Sequence, residues 1–330
     1  MTSHGANALR VVVLGAGGVG GYFGGVLAHA GHDVTLFARG DHLAAIRAHG
    51  LELRAPSDPA TAPSGGTLAS TSVLVPMNAT DDPAALPAAD LVLVTVKSYS
   101  LRDVAPVAAR LARGGATVLP LLNGVDAADE LAEHGVPRSA LLGGVTVISA
   151  ARVAPGVVER RSAFQRVVLG PLPGTPATTE GAAGAARISR IVEAFQSAGV
   201  EARSSPRIEV ELWHKLIFLA SMAAVCGLAR RDVGAVRRAP LGQLLIERAV
   251  AEIVAVARAH GVAVDPDIAQ QTVSTIAALP DSMRPSFLLD LERGGPTELD
   301  VLSGAVSRLG RRYDVPTPVH DTAVAALASS

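Results

Sequence analysis

Apolar positions along the chain follow two patterns that change near Ser205. Before that point, short and nearly unbroken Val/Leu runs alternate with longer segments. Leu9–Leu14, Val34–Phe37, Val73–Val75, Leu91–Val96 and Thr117–Leu121 read as strands. Val19–Ala30, Leu43–His49 and Leu101–Leu111 read as the helices between them, the first closed by Gly31. Strands that are apolar on both faces and separated by helices predict a parallel sheet covered on both sides. Leu141–Gly170 is richer in strands and turns at Pro155-Gly156; Ala182–Ala198 reads as a helix closed by Gly199. Ala55–Gly66 and Pro171–Gly181 read as loops.

After Pro206 no strand pattern recurs. Ile208–Leu228, Leu241–His260, Asp267–Leu279, Phe287–Arg293, Leu299–Arg312 and Asp321–Leu327 all read as helical. The expectation is an α/β domain over residues 1–205 and an all-helical domain over 206–330, each large enough for its own core.

Composition narrows the function. With 49% hydrophobic residues, 18% charged residues and a net charge of −1, neither a disordered polyelectrolyte nor binding through bulk charge fits. Aromatics at 3% leave few stacking platforms, so no nucleic-acid partner is expected. The pairs Arg230-Arg231, Arg237-Arg238 and Arg311-Arg312 read as solvated helix faces. The single cysteine, Cys226, excludes a disulfide framework and a multi-cysteine cluster, and a reduced cytoplasm is its natural compartment. Met1–Arg10 lacks the apolar stretch of a secretory signal. Leu216–Ala229 is short for a membrane span and reads as a buried core helix. The nine histidines show no metal-ligand spacing. A cytoplasmic protein without membrane or metal follows as the expectation; an apolar face of the helical domain could support a homodimer.

Lysine is scarce. Of 29 basic residues only Lys97 and Lys215 are lysine. A bias that turns surface lysine into arginine should spare those doing what a guanidinium cannot, which is to release a proton.

Gly15-Ala16-Gly17-Gly18-Val19-Gly20 follows the first strand directly and opens a helix, the setting in which this glycine spacing cradles a dinucleotide pyrophosphate. Gly15 allows the tight turn, Gly17 the approach of backbone to phosphate, and Gly20 close helix–strand packing. This makes the first domain Rossmann-type. At the tip of the second strand, where an NAD enzyme usually carries an acid, stands Arg39, suited to a 2′-phosphate; NADP(H) is therefore favoured. Asp41 is the rival but sits where the next helix needs an N-cap. Two further strand ends carry Lys97 and Asn123. In a parallel sheet such ends open on one edge, so Gly15, Arg39, Lys97 and Asn123 are expected to line one cleft. A solvated strand end for Lys97 and a turn residue before Gly124 for Asn123 stay open as plainer readings.

Lys215 leads into fourteen uncharged residues, and burial would lower its proton affinity into a useful range. The plainer alternative is an i,i+4 ion pair with Glu211. Downstream, Gly294-Gly295-Pro296 followed by Thr297-Glu298-Leu299-Asp300 looks like a capped helix start.

Together these segments resemble the ketopantoate reductases (2-dehydropantoate 2-reductases). The resemblance rests on the glycine motif, Val96-Lys97, Asn123-Gly124, Glu211-Leu212-Trp213-x-Lys215, Ser286 with Asp290, and Thr297-Glu298-Leu299-Asp300, and it covers most of the chain. It implies a helical C-terminal domain of the 6-phosphogluconate dehydrogenase kind. It implies Lys215 as proton donor and substrate contact, and Glu298 at the active site near substrate and cofactor. Ser286 and Asn123 would bind substrate, while Arg39, Lys97 and Asn123 would serve the cofactor. The implied reaction is NADPH-dependent reduction of a small 2-oxo acid, with ketopantoate to (R)-pantoate, a step of pantothenate and coenzyme A biosynthesis, as the leading case. Hydride would pass in the cleft between the domains.

The family usually has asparagines four and eight residues after the catalytic lysine, where this chain has Leu219 and Ala223. That departure keeps open a D-2-hydroxy-acid dehydrogenase acting on bulkier, more apolar 2-oxo acids. A 6-phosphogluconate-type dehydrogenase leaves the Glu211–Trp213 and Thr297–Asp300 matches unexplained. An NADPH-sensing protein without turnover would have no use for Lys215 and Glu298.

Overall fold

In the computed structural model, which describes residues 8–55, 72–174 and 181–328, contacts divide the chain into two units. The described residues of Met1–Leu122 and Ala127–Ile208 form the first, while Asn123–Asp126 and the described residues of Glu209–Ser330 form the second. A single cut near Ser205 makes no provision for the excursion at Asn123–Asp126. Those four residues follow a sheet strand in sequence but take their contacts from the helical unit. Most of the expected loops Ala55–Gly66 and Pro171–Gly181 lies outside the described residues.

The first unit runs β1 (Arg10–Leu14), α1 (Gly18–His29), β2 (Asp33–Phe37), α2 (Gly40–His49), β3 (Leu51–Arg54), β4 (Ser72–Val75), β5 (Asn78–Thr80), β6 (Leu91–Val94), α3 (Leu101–Arg113), β7 (Thr117–Pro120) and α4 (Ala127–Glu133). It continues with β8 (Gly143–Val147), β9 (Ala150–Ala154), β10 (Val157–Arg160), β11 (Arg166–Gly170), α5 (Gly181–Ser197) and β12 (Glu201–Ser204). Five parallel strands form the central sheet in the order β5-β2-β1-β6-β7. Alternate residues along β1 explain why the run Val11-Val12-Val13-Leu14 is apolar throughout. Val11 and Val13 pack with Tyr22, Phe23 and Leu27 of α1, whereas Val12 and Leu14 pack with Leu101, Val104 and Ala108 of α3. The chain leaves β1 for β2 on one side and later returns to β6 on the other. The carboxyl end of β1 is therefore the switch point at which open parallel sheets bind ligands.

Two smaller sheets flank this one in sequence, β4-β3-β10-β9 and β12-β11-β8. The β9–β10 hairpin turns at Pro155-Gly156 as expected, with Gly156 at φ +72°. β3, β5, β12 and α4 are absent from the sequence reading. β5 (Asn-Ala-Thr) and β12 (Glu-Ala-Arg-Ser) have no apolar period of their own. They are strands because parallel neighbours, β2 and β11, supply the pairing.

The second unit contains α6 (Ile208–Ala229), α7 (Val233–Arg238), α8 (Gly242–Ala259), α9 (Ile268–Ala278), α10 (Ser286–Glu292), α11 (Ala305–Arg312) and α12 (Pro318–Leu327). α6 has 22 residues, long and apolar enough by itself to cross a membrane, so the shorter run read from the sequence understates it. Its side chains are nevertheless core: Trp213, Leu216, Ile217, Ala220 and Met222 through Cys226 are all buried. The expected helix Leu299–Arg312 is not uniform. Asp300–Gly304 form a π-helical turn, with the Gly304 N–H donating to the Leu299 carbonyl at 2.9 Å, before α11 begins. Thr297 accordingly caps nothing, because the turn starts after Leu299 without a side-chain cap.

A buried polar pair fastens that turn. Glu252 of α8 accepts the N–H groups of Val319 (2.9 Å) and His320 (3.1 Å), satisfying donors that the first turn of α12 leaves open. His320 is fully buried between the Ala249 carbonyl and the Ser303 hydroxyl, each 3.1 Å from a ring nitrogen. A carbonyl only accepts, so Nε2 carries the proton and Nδ1 accepts from Ser303. Burial pushes the imidazole down to about 4, against the smaller opposing effects of the Ala249 carbonyl and Asp321. Unfolded, the same ring takes a proton near 6.5. The neutral ring's contribution is thus complete above about 6.5 and is lost as pH falls towards 4, in total about 3 kcal/mol. Urea unfolding from pH 7.5 to 4.5 should show this slope in the wild type and lose it in His320→Gln. An unchanged slope in the variant would contradict a neutral buried imidazole.

Candidate functional site

At the end of β1 the chain must turn sharply and then start a helix against the sheet. Gly15 does so at φ +108°, where a Cβ would lie 2.8 Å from the Val96 amide nitrogen. Thr95, just past β6, donates its hydroxyl to the Gly15 carbonyl at 2.8 Å and ties the turn to the neighbouring strand end. A Cβ on Gly20 would sit 2.1 Å from that same carbonyl and from the Thr95 hydroxyl, so any other residue breaks the tie. Gly17 is the N-cap of α1, and a Cβ there would meet nothing within 4 Å. The first turn of α1 carries no acidic residue, and its N–H groups have no carbonyls one turn back. Gly18 and Val19 are the first residues of that helix, and Gly18 is pressed against the Ala150 carbonyl.

A cavity of about 230 Å³ opens on this turn. Gly15, Ala16 and Gly17 line one part and Phe37, Ala38 and Arg39 another, with Val96 between the strand ends. Arg39 is exposed, and its guanidinium lies 5.6 Å from the Phe37 ring centroid. These features suit a dinucleotide: an open helix N-terminus where the backbone leaves room, and a cation at the far strand tip. Asp41 does not cap α2. The helix begins at Gly40 after Arg39, and Asp41 is its second residue. Lys97 is half-buried, heads the short 3-10 turn Ser98–Ser100, and follows cavity-lining Val96 without being in the lining itself. Gly15 and Arg39 thus share the cavity. Asn123 belongs instead to the other unit, because the chain leaves the sheet after Leu122.

In the second unit, Asn123 meets Glu298. The Asn123 side-chain amide donates to Glu298 Oε2 at 3.0 Å, and the Glu298 side chain is only 6% exposed. Gly124, at φ +93°, turns the segment tightly against Val301 of the π turn. Asn123 is therefore a turn residue whose side chain also bonds Glu298. Arg308 of α11 clasps the two pieces, donating to Asp126 (3.3 Å) and to the carbonyl and carboxylate of Asp300. Lys215, in the first half of α6, is partly buried. Burial lowers its ammonium from 10.5 to about 8, while the Glu298 charge pulls the other way. A carboxylate distant in sequence, Glu298, thus bears on Lys215.

Leu219 and Ala223 continue the Lys215 face of α6. Leu219 is partly buried against the core, and Ala223 is 2% exposed. Ser286 is the exposed first residue of α10 and, among the described residues, makes no hydrogen bond to Lys215, Asn123 or Glu298. Two residues of the cavity at the glycine turn, His42 and Arg152, are absent from the sequence reading. No local signal marks them in a chain where arginine is the default cation.

Comparison with known proteins agrees with this division. The family model for ketopantoate reductase PanE/ApbA matches residues 11–174, and that for the PanE/ApbA C terminal matches 207–329. The 2-dehydropantoate 2-reductase of Halobacterium salinarum is 37% identical over 94% of this chain and 95% of its own length. A crystal structure of a PanE/ApbA family ketopantoate reductase from Ralstonia eutropha JMP134 superposes with a TM-score of 0.80 at 29% identity, covering 96% of this chain and 97% of that one. D-Mandelate dehydrogenase, solved with NADH and anilino(oxo)acetate, shares the fold at a TM-score of 0.81 and 22% identity over 97% of both chains. Matched in both halves and along nearly its whole length, the chain belongs to the ketopantoate reductase family of oxidoreductases.

Proposed function

We propose that the protein reduces a 2-oxo acid, with 2-dehydropantoate as its substrate, using NADPH. The observation that carries this reading is the grouping of Lys215 with the buried Glu298–Asn123 pair. Both are at positions where the family motif has its active-site lysine and acid.

The reduced nicotinamide, when bound, supplies the hydride. The rest falls to the chain's own side chains. Lys215 keeps its proton at neutral pH, because about 8 still lies above it. Its ammonium can hold the substrate carbonyl oxygen, stabilise the charge that develops there, and then give it the proton. Full burial without an anion would drive that proton off; the Glu298 charge restrains the loss. Asn123 orients Glu298 through its amide. Ser286 is proposed for the substrate, Lys97 and Arg39 for the cofactor, with Arg39 directed to the 2′-phosphate that separates NADPH from NADH. The uncapped first turn of α1, over Gly17, Gly18 and Val19, is suited to the pyrophosphate.

A second reading has its own support. Leu219 and Ala223 leave the Lys215 face of α6 apolar, which fits a bulkier 2-oxo acid of the kind a D-2-hydroxy-acid dehydrogenase takes. D-Mandelate dehydrogenase, with the same fold, was solved with an aromatic oxo acid analogue.

NADPH consumption against 2-dehydropantoate and a series of aliphatic and aromatic 2-oxo acids, repeated with NADH, tests both. The expected result is the highest kcat/KM for 2-dehydropantoate with NADPH; a higher value for a bulky apolar acid selects the second reading. Lys215→Arg should bind NADPH as the wild type does, measured by fluorescence titration, while turnover falls at least about 100-fold, because an arginine does not release its proton. Near-normal turnover would remove Lys215 as the donor. In the wild type the reduction rate should fall as pH rises through about 8, where Lys215 gives up its proton. A flat pH–rate profile from 7 to 9 would speak against that role.

A further inference from the structure

Recognising a phosphate monoester is a matter of charge. At neutral pH the 2′-phosphate of NADPH carries between one and two negative charges. Arg39 brings one positive charge to the cavity, but Asp103 of α3 lines the same space with a negative one. One guanidinium facing a carboxylate and a near-dianion leaves a net repulsion.

A second guanidinium lines the cavity. Arg152, in the middle of β9, is exposed and, among the described residues, neither it nor Arg39 forms a salt bridge. Its position is built by long-range contacts. His42, in the first turn of α2, is 4% exposed, and its Nδ1 accepts the Gly156 N–H at 2.9 Å from the β9–β10 turn. That turn also packs on α2, where a Cβ on Gly156 would touch Ala45 at 3.0 Å. Further along, the Glu52 N–H donates to the Gly156 carbonyl at 2.8 Å, and β10 pairs with β3, the strand that follows α2. The strand tip carrying Arg39 and the hairpin carrying Arg152 are thereby locked to one helix, with His42 as the pin.

The charge of Arg152 also reaches His42. Burial first, and then the positive charge of Arg152, lower the affinity of the ring for a proton. Its Nε2 is buried without a partner of good geometry, although the Ala16 carbonyl is near enough to oppose that shift slightly. A neutral His42 adds no charge to the cavity but leaves one polar donor at its wall.

We infer that Arg152 is the second cation for the adenosine 2′-phosphate, so that selection of NADPH over NADH rests on an Arg39–Arg152 pair drawn from the loop after β2 and from β9. This rests on the NADPH reading above and assigns the counter-charge it requires. Arg152 holds the cofactor and takes no part in proton transfer.

Calorimetric titration with NADPH and NADH, and with the redox-inert fragments 2′-phospho-ADP-ribose and ADP-ribose, reads the effect without turnover. Arg152→Gln should weaken the two 2′-phosphorylated ligands about tenfold. NADH and ADP-ribose should stay within twofold, and Arg152→Lys should recover most of the loss. An equal loss for all four ligands would place Arg152 on the pyrophosphate or in a structural role, and no loss would leave it outside the site; either overturns the inference. Arg39→Gln separates this from the reading beneath it. A wild type indifferent to the 2′-phosphate defeats the NADPH reading and the Arg152 role together. A wild type that prefers it, with the preference lost in Arg39→Gln but kept in Arg152→Gln, defeats Arg152 alone. Because Arg152 is exposed on its strand, thermal unfolding of both variants should match the wild type and confirm that the losses are of binding.

Discussion

Burying a carboxylate costs several kcal/mol unless donors and a counter-charge surround it. Glu298, at 6% exposure, is such a group, and much of the helical unit is arranged to support it. Asn123 must leave the end of a sheet strand to reach it. Gly124 must take a left-handed turn against Val301, and the chain must tighten into a π turn immediately after it. Arg308 then holds Asp126 to Asp300, while His320 and Ser303 fix the turn from the core side. Mid-chain π turns of this kind commonly accompany functional sites. Here the turn follows an acid whose charge partly offsets the lowering of the Lys215 proton affinity by burial.

The first unit is governed around its glycine turn by steric constraint rather than by charge. Gly15 and Gly20 let the first turn of α1 approach β1 and β6 closely enough for Thr95 to bond the turn. That approach sets the open N-terminus of α1 at the switch point of the sheet, where the cavity lies. The family membership and the chemistry proposed for the chain fit this division of labour. In that proposal one unit receives the cofactor's phosphates and the other holds the proton donor.

Elements with strong local patterns were legible before any coordinates. The unbroken Val/Leu runs of β1, β6 and β7, the glycine motif and the long apolar helix α6 each carry their own period. The two lysines stood out because the rest of the chain uses arginine. Polar strands such as β5 and β12 were not legible, since pairing rather than composition makes them strands. Asp41 and Thr297 both match capping patterns and cap nothing; the helical turns begin at Gly40 and Asp300, without a side-chain cap.

By itself the sequence determined the parallel sheet, the glycine turn after its first strand, the helical second half and the two lysines that stand out as candidates. Each of these follows from local periodicity or from a residue type that the rest of the chain avoids. Only the tertiary structure decided that Asn123 bonds Glu298 from within the helical unit, and that the charge of Glu298 reaches Lys215. It alone drew Arg152 to the cavity of Arg39. The physical reason is the same in each case. These contacts join residues far apart in the chain, and the charge and hydrogen-bond energies that give them meaning depend on distance and burial, which no local pattern of residue types encodes.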